Sequence, residues 1–322
     1  MFIPVLLFIT GLVLLISGGD WFVDGATGIA HHFHIPELLI GATVVSIGTT
    51  LPEVMVSATS ALGGHGEIAY GNAIGSIICN TSLIAAITVA VRPGKVEKKS
   101  LISPVLFFVA AAVFYAFVAY STGHFSRVSG IVLLTVFVIY MVYTVLQMKN
   151  GPQTNTSADD SEEESCSIAK NILFLVLGAG LIAVGADLLV DNGTLIAQAL
   201  GVPESVIALT FVALGTSLPE LVTAITSLLK GHSSLSLGNI IGANLFNLVL
   251  VSGVSVALSP FDIPSSSTIA GKNASLVLDI PLMFFVMMFL TLPALIRGKL
   301  SRVQGIVLLV IYVSYCIFQF TM

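Results

Sequence analysis

Charge is scarce in this sequence. Of 322 residues, 12 are Lys or Arg and 17 are Asp or Glu, 9% in all, whereas a soluble globular chain carries about 25%. That scarcity excludes a water-soluble domain. Cysteine is nearly absent. Cys79, Cys166 and Cys316 form no pair by spacing and no metal motif, so no disulfide framework is implied. No His or Cys cluster falls inside an apolar run, so a soft-metal site is not expected. Short alternating segments are also few. The hydrophobic residues, 56% of the chain, come in long runs that read as membrane helices rather than barrel strands. The first run has no basic residues ahead of it and continues into "GGDWFVDGATGIA", so it reads as a span and not as a cleaved signal. The net charge of −5 says little, because five acids sit in one loop.

Ten spans are predicted, near 3–30, 38–63, 68–91, 100–121, 127–148, 168–198, 205–229, 235–258, 273–296 and 302–321. The interruption "KNGPQTNTSADDSEEESCS" has no apolar period and reads as a linker over 149–167. It separates a first unit, 1–148, from a second, 168–322, and is too short for a regulatory domain. Numbering the sides from the N-terminus, side two receives Arg92, Lys95, Lys98, Lys99, Lys149, Lys170, Lys230, Arg297, Lys299 and Arg302, and side one only Arg127 and Lys272. Side two is then cytoplasmic by the positive-inside rule, and both termini are external.

The two units repeat one another. Adding 167 to a position in the first unit lands on its counterpart, and 27 of 63 residues agree between 18–80 and 185–247 without a gap. Asp20 and Asp24 meet Asp187 and Asp191, Glu53 meets Glu220, and Asn80 meets Asn247. A later echo joins "SRVSGIVLL" to "SRVQGIVLL". Five spans is an odd number, so the second copy enters the membrane with opposite sense. Inverted repeats with interrupted helices and a midplane site are a transporter architecture. The expected fold is therefore all-α, ten spans in two inverted five-helix repeats.

The best-matched stretches include the most polar ones. In "SIGTTLPE", Ser46, Thr49, Thr50 and Glu53 share one helix face. Pro52 lacks an N–H and crowds the carbonyl of Gly48, so carbonyls beside it can leave the helical ladder. In a bilayer a freed carbonyl needs a partner, and a cation is one. "VALGTSLPE" repeats the pattern with Ala213, Thr216, Ser217 and Glu220. The next span of each unit presents Asn72, Ser76 and Asn80, and Asn239, Ala243 and Asn247, at spacings of four. Two carboxylates, hydroxyls, amides and free carbonyls make an all-oxygen set for hard cations such as Ca²⁺ and Na⁺. Intramembrane carboxylates are functional by default.

"GTTLPE" and "GTSLPE", each followed by "GN-IG" and a further Asn, resemble the α-repeats of the cation/calcium exchanger superfamily. The compact length is similar to that of its prokaryotic sodium/calcium exchangers. The resemblance implies that Glu53 and Glu220, with the carbonyls of Thr49 and Thr216, bind Ca²⁺. It implies that Ser46, Thr50, Ser76, Ala213 and Ser217 serve Na⁺ sites and that Asn80 and Asn247 line the centre. Asn247 stands where some members carry Asp, Ala243 where Ser is common, and Ile77 where Asn is usual. The missing hydroxyl at Ala243 puts the coupling stoichiometry in question.

The expected function is Ca²⁺ export in exchange for Na⁺ across the cell membrane by alternating access. A proton-coupled or potassium-dependent exchanger is the alternative within the class, and a cation channel the alternative outside it. An intramembrane metalloenzyme would need His or acid ligands at helical spacing in a span together with a water-activating residue, and the sequence offers no such set. The partners expected are inorganic cations and membrane lipid, with no cofactor, no nucleic acid and no obligate protein partner. Asp20, Asp24, Asp187 and Asp191 read as structural pairs at helix ends and Asp279 as a packing residue. The six histidines read as span-end or loop residues, and "RPGKVEKK" as a basic anchor with possible contact to anionic lipid.

Overall fold

The computed structural model describes residues 2–150, 168–200, 215–265 and 268–321. Among them, nine helices are long and apolar enough to cross a membrane: α1 (Phe2–His32), α2 (Glu37–Leu62), α3 (Gly66–Val91), α4 (Lys98–Thr122), α5 (Arg127–Asn150), α6 (Ile168–Ala199), α8 (Ser233–Leu258), α9 (Ser275–Arg297) and α10 (Arg302–Thr321). A shorter apolar helix, α7 (Leu218–Leu229), precedes α8. It is the second half of the predicted seventh span, whose first half lies outside the described residues. So does nearly all of the 149–167 linker.

Burial sorts the helices. α8 and α3 are the most enclosed and α2 follows, while α1, α6 and α10 turn most of their surface outward. In water such outward Leu, Ile and Phe would be a liability; in lipid they are solvated. The larger apolar core joins α3, α4, α5, α8, α9 and α10, with Phe108, Tyr140 and Phe246 at full burial. A smaller core joins α1, α2 and α6 through Phe22, Val45 and Ile182.

α1 and α6 meet backbone to backbone. A methyl on Gly18 would lie 2.9 Å from Gly178 O, and one on Gly11 2.8 Å from Gly185 O. Small residues at seven-residue spacing on both helices make this approach possible, as in other membrane helix pairs. α8 crosses α2 as closely: a methyl on Gly238 would overlap the Leu38 carbonyl.

Among the described residues, four helices contain a π-helical turn: Gly41–Val45 in α2, Asn80–Ala85 in α3, Asn247–Val251 in α8 and Ser275–Asp279 in α9. Such turns displace carbonyls from the α-ladder and recur at functional sites. The freed groups find partners, since Tyr140 Oη donates to Ala42 O at 2.9 Å and Ser46 Oγ lies 2.7 Å from Gly41 O. The α4–α5 and α8–α9 links pair antiparallel, His124 with Asp262 and Phe125 with Phe261.

Candidate functional site

Glu53 and Glu220 lie fully buried and next to one another, with the Thr49 hydroxyl beside Glu220. α2 carries the first. It continues as a helix through Pro52, so the proline does not break the span; it only withholds one hydrogen bond. The second copy differs. Thr216 and Ser217 occupy a turn, and α7 starts at Leu218 with Pro219 in its first turn, where a missing N–H costs nothing.

α3 and α8 close the site from the other side. The π-turn that begins at Asn80 packs against α7, and the one that begins at Asn247 packs against α2. Each carboxylate-bearing helix therefore faces the asparagine of the other unit. Sequence reasoning placed both asparagines on inward faces but carried no signal for the turns.

Hydrogen bonds cross between the units at two related points. Thr49 Oγ1 donates to Asn239 Oδ1 at 3.2 Å, and Thr216 Oγ1 to Asn72 Oδ1 at 3.2 Å. Asn72 Nδ2 also donates to Glu53 O at 3.2 Å and to Ser57 Oγ at 2.8 Å. Ser46 Oγ lies 2.9 Å from Asn239 O. Asn72 and Asn239 hold the site residues in place, a role their spacing alone did not show. On the same helix, Asn244 Nδ2 reaches Thr81 Oγ1 at 2.7 Å.

What the remaining polar atoms lack is a partner. Thr50 Oγ1, Ser217 Oγ, both side-chain oxygens of Glu53 and Glu220, and both amide atoms of Asn80 and Asn247 are buried without a well-formed hydrogen bond among the described residues. A buried unpaired polar group costs about 1–3 kcal/mol, and more for a charge. Two adjacent carboxylates in hydrocarbon repel each other as well. A cation coordinated by these oxygens removes both penalties, and the donor set is the hard-oxygen type. Ser76 and Ala243 are buried on the same two helices. Ala213 lies outside the described residues.

A cavity of about 960 Å³ lies between α2, α6 and the start of α7, with Pro52, Thr216 and Pro219 in its wall. Asp187 and Asp191 also line it and have no cationic partner among the described residues. Their repeat counterparts do: Lys230 Nζ lies 2.7 Å from Asp24 and 3.3 Å from Asp20. Asp279 accepts from Tyr315 and Gln319 at 3.3 and 3.2 Å, away from the carboxylate pair.

A family model described as sodium/calcium exchanger protein matches residues 3–146 and 170–321. The chain belongs to the sodium/calcium exchanger family. Sodium/calcium exchanger MaX1 of Methanosarcina acetivorans is 31% identical over 98% of both chains, and putative antiporter CaxA of Alkalimonas amylolytica 35% identical over 98% of both. The solved sodium-calcium exchanger NCX_Mj, soaked with Na⁺ and Sr²⁺, superposes with a TM-score of 0.80 at 33% identity, covering 97% of each chain. This exchanger is thus a multi-pass membrane protein of the transporter class.

Proposed function

We propose that this exchanger moves Ca²⁺ against Na⁺ by alternating access, through one site at which Glu53 and Glu220 bind Ca²⁺ with the carbonyls of Thr49 and Thr216. Ser46, Thr50, Ser76, Ala213 and Ser217 serve the Na⁺ positions, with Asn80 and Asn247 at the centre. The observation that carries this reading is that Glu53, Glu220, Thr50, Ser217, Asn80 and Asn247, all singled out by the repeat, are buried without a well-formed side-chain hydrogen bond among the described residues. The names of the relatives support the ion pair, and an Sr²⁺-soaked neighbour fits a divalent site.

Two carboxylates balance one Ca²⁺, and the same oxygens can hold Na⁺ ions instead. Occupancy by either cargo removes the cost of bare carboxylates in oil, so the loaded protein changes sides and the empty one does not. The two repeats, 1–148 and 168–322, enter the membrane with opposite sense, with the 149–167 linker and the basic loops cytoplasmic and both termini outside. The test is Ca²⁺ flux into proteoliposomes driven by a Na⁺ gradient, repeated with K⁺ and proton gradients. Glu53→Gln and Glu220→Gln should each abolish it; wild-type rates in both variants overturn the site assignment.

A further inference from the structure

At the end of the bundle that carries the basic loops, the α3–α4 link is laced to the α9–α10 link. Val96 N donates to Gly298 O at 3.0 Å, Leu300 N to Gly94 O at 2.9 Å, and Lys95 pairs with Lys299. Beside this seam lies a cavity of about 40 Å³ whose wall includes Arg92, Lys95, Ser233, Ser234 and Ser236.

Two independent observations give the cavity a chemistry. It sits at the N-terminus of α8, a helix of 26 residues whose start no side chain caps. Unpaired N–H groups at a helix start attract anions. Ser236 in the cavity wall is only 1% exposed and its hydroxyl has no hydrogen bond among the described residues, so it too awaits a partner. Arg92 spends one N–H on Leu228 O, at 3.2 Å, and Lys95 is exposed with no ion pair among the described residues. The carboxylates that flank the wall in sequence are engaged elsewhere: Glu37 with His232 at 2.7 Å, and Glu97 with Ser100 at 2.8 Å.

The 167-residue offset supplies a control. The counterparts of Ser233, Ser234, Leu235 and Ser236 are Gly66, Glu67, Ile68 and Ala69, and those of Arg92 and Lys95 are Ser259 and Asp262. The equivalent place in the other unit has two acids and one hydroxyl where this one has two bases and three hydroxyls. The donor cluster is therefore no by-product of the shared fold.

We propose that this cavity binds a phosphate group, held by the α8 N-terminus, the Ser233 and Ser236 hydroxyls, Arg92 and Lys95. A phosphate offers several acceptor oxygens to a set made only of donors. The source is either the headgroup of an anionic phospholipid, which lies at the depth of the basic loops, or free phosphate.

The test uses the purified full-length protein, Lys95→Gln and Ser236→Ala. Native mass spectrometry compares retention of phosphatidylglycerol with phosphatidylcholine, with and without inorganic phosphate, and the binding of inorganic phosphate alone is measured by phosphorus NMR line broadening. Wild type should retain phosphatidylglycerol preferentially or bind phosphate, and each variant should bind about tenfold more weakly. Ser236→Ala is the decisive variant, because it leaves general attraction between basic loops and anionic lipid unchanged. Lipid retention that phosphate does not displace identifies the headgroup as the source. Phosphate binding without lipid preference identifies the free anion. Absence of both in wild type, or Ser236→Ala binding as wild type does, overturns the proposal.

Discussion

Replacing Asn72 and Asn239 separately by Leu should have unequal costs, although the two residues are repeat counterparts. Leu shares the branching of Asn but is bulkier, so both variants carry an overpacking cost of about 1–3 kcal/mol, and the hydrogen bonds set the difference between them. Asn72 makes three hydrogen bonds, to Glu53 O, Ser57 Oγ and Thr216 Oγ1. At about 1 kcal/mol each, these bonds add about 3 kcal/mol to the cost of Asn72→Leu. Asn239 accepts at Oδ1 from Thr49 and Ser46, at 3.2 and 3.3 Å. Ser46 keeps the Gly41 and Asn239 backbone carbonyls in reach, so only Thr49 loses its bond. Asn239 Nδ2 is a buried donor without a partner, and removing it returns about as much as the Thr49 bond loses. Asn239→Leu should therefore cost about 2–3 kcal/mol less than Asn72→Leu. The measurement is reversible denaturant unfolding in mixed micelles without Ca²⁺ or Na⁺. Equal losses, or a greater loss for Asn239→Leu, refute the reasoning that ranks these contacts.

Ala243→Ser restores the hydroxyl present at its counterpart Ser76, and should lower the Na⁺ concentration for half-maximal exchange severalfold in the proteoliposome assay. Gly238→Ala pushes a methyl into the Leu38 backbone and should cost about 1–3 kcal/mol in the unfolding measurement. Lys230→Ala removes the ion pairs to Asp20 and Asp24, but both acids are half exposed, so the loss should stay below about 1 kcal/mol.

Much of the candidate site stands out in the sequence because charge in a bilayer is expensive and the chain repeats. Glu53 and Glu220 stand out in any apolar run, and the offset of 167 doubles each signal. The structure puts them side by side. The unequal fates of the two prolines were not legible. "TTLPE" and "TSLPE" differ by one methyl group, yet α2 runs through Pro52 while α7 begins at Leu218 with Pro219 in its first turn. That choice is made by packing against neighbours and not by local propensity. The π-turns were hidden for a similar reason, since no residue type demands one. Lys230 counted only as a basic loop residue, and its reach to Asp20 and Asp24 depends on α1 lying against α7, a tertiary fact.

The glycine seam between α1 and α6 bears on how the chain comes together. α1 is the first helix of one unit and α6 the first of the other, so each unit carries one face of the contact. Neither face is filled by its own unit, and a bare backbone stripe in lipid is matched only by another of its kind. Recognition between the halves is therefore written into their leading helices, and the peptide joining Asn150 to Ile168 is needed for stoichiometry and proximity rather than for fit.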